Sequence, residues 1–224
     1  MSNSQLVNYT KLSPNRTAPR SAKIKKITIH HMAGNLSVER CGAVFQNIAR
    51  KASANYGVDS DGRIGLYVEE ANRSWCSSNA DNDHQAVTIE VANDGGAPDW
   101  HVSDKALEAT VELCVDICRR NGIARLNFTG DKTGNLTMHN YFTATTCPGP
   151  YLSGKFPYIA DEVNKRLRAT ESPQGSAGDV GGISTLYRVQ VGAYAKKENA
   201  EAQLQRVKAA GFSDAFIVTT KTGK

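Results

Sequence analysis

The chain reads as an α/β protein, a mixed central β-sheet flanked by helices, followed by a small C-terminal α+β strand-helix-strand module. Three observations predict this. Short β-branched or alternating runs take turns with stretches of helical period along most of the chain, the pattern of strands and helices packed in layers. At about residue 169 the composition shifts to "ATESPQGSAGDVGGIST", which is rich in Gly, Ser, Pro and Ala and has almost no large apolar residue, and so reads as a flexible linker. Beyond it, "LYRVQVGAYAKKENAEAQLQRVKAAGFSDAFIVTTKTGK" reads as strand, helix, strand. The expected domains are therefore 1–168, a linker over 169–185, and a module over 186–224. A chain of 224 residues is long enough for one well-cored domain and a small appendage.

The elements follow in order. In "KKITIHHMAG", Ile27, Thr28 and Ile29 favour a strand, because β-branched side chains suit a pleated surface, and Gly34 breaks it. Ser37 opens a helix in which Val38, Cys41, Val44, Phe45 and Ile48 recur at helical spacing. "ANYGVDSDGRIGLYV" reads as a hairpin turning at Asp61–Gly62. "AVTIEVAN" is a further strand. Ser103 caps a helix whose Leu107, Val111, Cys114, Val115 and Cys118 form an apolar stripe, and Gly122 ends it. "LTMHNYF" reads as a strand end or loop, and "FPYIADEVNKRL" as the last helix of the domain, with Ile159 and Val163 inward. In the tail, Val189 and Val191 alternate on one strand, Ala200, Leu204 and Val207 line a helix, and Phe216, Ile217 and Val218 make a second strand.

Composition excludes several classes. Hydrophobic content of 40% and charged content of 22% are those of an ordinary globular protein. No apolar run approaches the roughly 20 residues of a membrane span. "MSNSQLVNYTKLSPNR" lacks a charged segment followed by an apolar one, so no secretory leader is expected. The net charge of +5 is concentrated in residues 186–224, where seven Lys and Arg face three Asp and Glu. The remaining body is close to neutral, which argues against nucleic-acid binding. Five cysteines, an odd number, argue against a disulfide framework. Cys114 and Cys118, one helical turn apart, are expected to be buried apolar residues.

Two stretches carry chemistry. On a strand, neighbours face opposite ways, so His30 shares a face with Thr28 while His31 shares the other with Ile27 and Ile29. In "MHNYFTATTCPGPYL", His139 and Cys147 are separated by seven residues. Imidazole and thiolate are donors that zinc favours, and two His with one Cys leave the fourth tetrahedral position open, as in catalytic zinc sites. Glu90 sits in mid-strand, where a carboxylate is costly to bury without a partner.

These residues carry a resemblance. "ITIHHMAG", "ANYGVDSDGRI", "SWCSSN", "VTIEVAN" and "MHNYFTATTCPGPYL", over about residues 20–168, resemble the type 2 N-acetylmuramoyl-L-alanine amidases, the family shared by phage endolysins, bacterial autolysins and peptidoglycan recognition proteins. The resemblance implies a Zn2+ ion held by His30, His139 and Cys147, with His31 a core or supporting group. It implies Glu90 as general base and Tyr56 as an aromatic near the metal. Thr145 stands where some members carry an oxyanion-stabilising Lys. Trp75 and Asn93 are expected to bind substrate. The family's frequent Trp-His appears here as Trp75–Cys76, and position 76 is given no role. The reaction implied is zinc-dependent hydrolysis of the amide between N-acetylmuramic acid and L-Ala in bacterial peptidoglycan.

Three other readings share parts of this pattern: a recognition module that binds peptidoglycan without cutting it, a thiol hydrolase with Cys147 as nucleophile, and a structural zinc domain on nucleic acid. Loss of the Cys marks inactive members of the family, which Cys147 argues against. Neither a fourth ligand nor a pair of cysteines at finger spacing supports the last. The tail resembles half of a sporulation-related repeat, a type that binds glycan strands, which implies wall binding. A lone strand-helix-strand leaves a sheet edge unpaired, so two tails are expected to pair and make a homodimer. Together these features imply an endolysin of a phage or prophage, held in the host cytoplasm until released to the wall, or an autolysin exported without a leader.

Overall fold

The computed structural model describes residues 2–169, 191–212 and 215–219. The chain divides into two compact units, Met1–Gln174 and Gly175–Lys224. The first unit holds a six-stranded sheet. In chain order its strands are β1 (Tyr9–Thr10), β3 (Lys26–His31), β4 (Tyr56–Val58), β5 (Ile64–Leu66), β7 (Ala86–Val91) and β8 (Leu136–Met138). They lie side by side as β1-β5-β4-β7-β3-β8. Strand pairs β3–β7, β3–β8, β4–β7 and β1–β5 are parallel and β4–β5 is antiparallel, so the sheet is mixed. A two-stranded ribbon joins β2 (Arg16–Thr17) to β6 (Arg73–Ser74).

Helices α1 (Val38–Val44), α2 (Ala80–Gln85), α3 (Asp104–Asn121) and α4 (Pro150–Ala169) flank the sheet. Ser37 Oγ accepts from the Arg40 N–H and Ser103 Oγ from the Ala106 N–H, the bonds by which an N-cap satisfies an orphan helix donor. Gly122 closes α3 in the left-handed region at φ 67°, which glycine adopts at little steric cost.

Strand register divides the sheet into two faces of opposite character. Ile27, Ile29, Val87, Ile89, Val91, Tyr56 and Val58 point to one side, where α3 and α4 cover them with Val111, Cys114, Phe156 and Ile159 in a single core. Cys114 and Cys118 are fully buried there. The other face carries Thr28, His30, Thr88 and Glu90. Thr28 Oγ1 lies 2.9 Å from Thr137 Oγ1 and accepts from Asn82 Nδ2 at 2.9 Å. Thr88 Oγ1 is bonded to Ser74 Oγ and accepts from the Asn55 N–H. This face is also buried, but its packing is polar.

On that polar face one row crosses four strands in register: His30, Glu90, Gly57 and Gly65. The Tyr67 ring lies over the two glycines, and its hydroxyl donates to the Val38 carbonyl at 2.8 Å. A methyl group at Gly65 would stand 2.5 Å from the Tyr67 hydroxyl and 2.8 Å from its ring. Gly65→Ala is therefore expected to cost about 1–3 kcal/mol through overpacking. Thermal unfolding measures this, and an unchanged midpoint would show that the ring yields freely.

Several elements differ from the sequence reading. Helix α1 stops at Val44, and Ile48 begins a separate 3-10 turn with its side chain 69% exposed. Helix α4 begins at Pro150, ahead of the expected start, because a proline fits the first turn where no N–H partner is lost. The hairpin turn spans five residues, closed by Asp59, whose Oδ1 accepts from the Asp61 and Arg63 N–H groups.

In the second unit, α5 (Lys197–Ala209) forms where a helix is expected. Phe216, Ile217 and Val218, where the second tail strand is expected, are exposed, and among the described residues no partner strand is paired with them. Most of the other expected tail strand, and the linker, lie outside the described residues. The expected pairing of two tails finds no support in the structure.

Candidate active site

The site forms at the ends of β3, β7 and β8. Strand β3 delivers His30, β7 delivers Glu90 in register beside it, and the 3-10 turn His139–Tyr141 that follows β8 delivers His139. The loop before α4 returns Cys147 to the same place. One donor atom from each of His30, His139 and Cys147 falls within 4.8 Å of the others. The two imidazoles are 4.5 Å apart between ring centres, and Cys147 Sγ is 3.8 Å from His30 Nδ1. His31 takes the other side of β3, stacked edge-on against Trp100 at 5.3 Å. Its backbone N–H donates to Cys147 Sγ at 3.4 Å. The paired histidines thus have separate duties: His30 presents its ring to the cluster, and His31 holds the thiol through its backbone.

The electrostatics of the cluster keep its donors neutral. His30 is 1% exposed, and burial together with the neighbouring His139 and His31 lowers its pKa well below the ordinary histidine value. Burial likewise lowers His139. Burial pushes the Cys147 thiol well up, and nearby Glu90 adds to the effect. The thiol is therefore neutral by itself and a poor free nucleophile. The Nε2 atoms of His30 and His139 and Oε2 of Glu90 are buried without a hydrogen-bond partner. Buried polar atoms ordinarily have partners. Neutral imidazoles, a thiol and a carboxylate crowded together are a donor set that a divalent cation such as zinc would satisfy. Burial raises Glu90 to about 8, against smaller opposing effects of Arg50 and the Cys76 thiol.

The other residues expected at the site are placed differently. Tyr56 is paired with Ile89, one residue out of phase with Glu90, so its ring enters the apolar core on the opposite face. Its hydroxyl donates to Glu70 Oε1 at 2.7 Å and accepts from the Ser4 N–H. Tyr67, two residues along from Gly65, is the aromatic on the polar face. Asn93 is 1% exposed, and its amide donates to the Trp100 carbonyl at 2.7 Å, which ties down the loop behind His31. Trp75 spends its indole N–H on Thr17 Oγ1, with the Arg73 guanidinium over its ring. Its neighbour Cys76, which received no role, faces Glu90, with Sγ 3.9 Å from Oε1. Thr145 accepts the Cys147 N–H on Oγ1 at 3.2 Å and so shapes the turn that presents the thiol.

A mixed sheet flanked by helices, with two histidines and a cysteine gathered at its strand ends beside a half-buried carboxylate, defines an α/β domain with a donor set that could hold a metal ion. The chain belongs to the N-acetylmuramoyl-L-alanine amidase family, whose model matches residues 20–150, and a sporulation-related (SPOR) domain model matches residues 160–224. Among solved structures the chain is similar to PlyL, with 16% identity over 70% of this chain and 96% of that chain and a TM-score of 0.56. It is also similar to a mutant endolysin from Bacillus subtilis, with 19% identity over 70% and 99% and a TM-score of 0.55. The Staphylococcus aureus hydrolase AmiA gives 15% identity over 76% and 87% and a TM-score of 0.58. These likenesses concern the fold. No curated protein matches the chain.

Proposed function

We propose that this chain cleaves the amide between the lactyl group of N-acetylmuramic acid and L-Ala in peptidoglycan, with His30, His139 and Cys147 holding one zinc ion. The observation that carries the reading is the convergence of these three donors beside Glu90, with His30 Nε2, His139 Nε2 and Glu90 Oε2 buried and unpartnered. A bound zinc supplies Lewis acidity and lowers the pKa of its water to about 7. Glu90 accepts the proton of the attacking water on its open carboxylate oxygen and passes it to the leaving amine. Thr145 and the His31 backbone fix the direction of the Cys147 sulfur, and the Thr145 hydroxyl is the donor this reading assigns to the developing oxyanion.

The tail adds wall binding. Family membership of the body, the SPOR match and the basic excess of the tail support a role at bacterial peptidoglycan. No helix among the described residues is long and apolar enough to cross a membrane. The likeness to an endolysin of solved structure supports the reading of a wall-lysing enzyme that acts once it is released to the wall.

Mass analysis of digested peptidoglycan tests the reaction. The expected products are intact glycan strands and stem peptides with a free L-Ala amino group. Cys147→Ser is expected to lose metal and activity together. Binding of the wall without cleavage would make the protein a recognition module, and full activity of a metal-free preparation would remove zinc from the reading.

A further inference from the structure

The polar face of the sheet carries a pocket of about 200 Å³ to which the proposed reaction gives no task. Lys26 of β3, Asp81 and Asn82 of α2, Lys132 and Phe142 are among the residues that line it. Side-chain direction on a strand repeats every two residues, so Lys26, Thr28 and His30 share this face, with Lys26 about 13 Å from His30 at roughly 3.3 Å per residue. Two hydrogen bonds tie the pocket to the donor cluster. The Phe142 N–H donates to the His139 carbonyl at 3.0 Å, and Asn82 Nδ2 donates to Thr28 Oγ1, which stands between Lys26 and His30 on the strand face. The lining is unsatisfied in two ways. The lysine ion pairs among the described residues belong to Lys105, Lys165 and Lys197, so Lys26 and Lys132 have no carboxylate partner there. Lys26 Nζ instead donates to the Lys132 carbonyl at 3.0 Å, which holds the two residues together. Asn82 is 4% exposed, and its amide hydrogens are spent on Thr28 Oγ1 and Ser77 Oγ, while its Oδ1 is buried without a partner. A buried carboxamide oxygen ordinarily accepts a hydrogen bond.

We propose that this pocket is a subsite for the peptide arm of the substrate and takes a carboxylate carried at about the fourth residue from the bond that is cut. The inference rests on the reading of the chain as a peptidoglycan amidase. With the lactyl–L-Ala amide at the donor cluster, an extended stem peptide advances by roughly 3.3–3.6 Å per residue, so its fourth residue reaches the pocket. There the carboxylate meets the Lys26 and Lys132 ammonium groups, a backbone N–H of the peptide donates to Asn82 Oδ1, and the Phe142 ring gives an apolar wall. Bonds between an ammonium and a carboxylate are charge-assisted and stronger than neutral ones. Asp81 leaves the lining one positive charge in excess, which matches a single carboxylate. The subsite therefore reads the length of the stem, because a shorter peptide leaves both lysines without a counter-ion.

Titration calorimetry of the full chain with a free tetrapeptide stem, its C-terminal amide and the dipeptide of its first two residues tests this without turnover. The amide and the dipeptide are expected to bind about tenfold more weakly than the tetrapeptide acid, the effect of losing one charge-assisted hydrogen bond. Lys26→Gln and Lys132→Gln should each weaken the acid by about the same factor. If the substitutions weaken acid and amide alike while amidation changes nothing, the subsite stands and the carboxylate it takes is on a side chain of the stem. If neither amidation nor either substitution changes binding, the subsite is overturned. Muramyl peptides of the same two lengths read the reaction. The preference of wild type for muramyl-tetrapeptide over muramyl-dipeptide in kcat/KM should fall about tenfold in each variant. Cleavage of both substrates with the same ratio in all three proteins would overturn the subsite and leave the amidase reading intact. Cleavage of neither substrate by the wild type would overturn the amidase reading and the subsite with it.

Discussion

Glu90→Gln is expected to lower peptidoglycan turnover by about 10²–10⁴, the usual contribution of a positioned acid–base group, while the chain keeps its metal. The same substitution should change the stability of the metal-free protein, with a sign that follows from the raised pKa. An unfolded carboxyl ionises near 4.3, whereas burial raises folded Glu90 to about 8. Between those values the folded chain binds more protons than the unfolded one, so this group's contribution to stability is full at low pH and is lost as pH rises through that window. Gln cannot ionise, so the variant should lack that decline and be more stable than metal-free wild type at neutral pH. Denaturant unfolding at several pH values measures it. Near-normal turnover would remove Glu90 from the mechanism. A variant that unfolds at neutral pH would instead make Glu90 a structural group.

The largest loss of stability is expected on the opposite face, at Glu70→Ala. Glu70 is fully buried. Its carboxylate accepts both terminal nitrogens of Arg120 at 2.7 and 2.9 Å, the Tyr56 hydroxyl at 2.7 Å and the Asn121 amide at 3.1 Å. The Arg120 guanidinium also reaches the Ser2 carbonyl and Asp116, so the network pins the N-terminal segment to the end of α3. Removing one partner of a buried ion pair leaves the other desolvated and uncompensated, at a cost of about 3–5 kcal/mol. Tyr56→Phe, which removes one arm of the network, should cost only about 1–2 kcal/mol and leave turnover within a few-fold of wild type. A large loss of turnover with unchanged stability in Tyr56→Phe would return that residue to the active site.

Local chemistry reached much of this protein by itself. β-branched runs made the strand edges legible, and Ser37, Ser103 and Gly122 marked helix ends because caps act within one turn. The alternation along β3 separated His30 from His31, since side-chain direction on a strand repeats every two residues. Donor type was equally local: imidazole, thiol and carboxylate keep their chemistry wherever the chain carries them. What only the tertiary structure decided is register and neighbourhood. Tyr56 and Glu90 lie on different strands, and the pairing of Tyr56 with Ile89 sends its ring to the core face, where Glu70 and Arg120 claim the hydroxyl. A slip of one residue would have placed it beside Glu90. Asn93 and Trp75 carry plausible groups for substrate, but the fold commits their donors to the Trp100 carbonyl and the Thr17 hydroxyl. Cys76 carried no local signal, because a single thiol in a loop gains meaning only from what faces it. Parallel pairing of β3 with β7 sets Glu90 beside His30, and Asp83, which accepts the Cys76 N–H, turns Cys76 toward both.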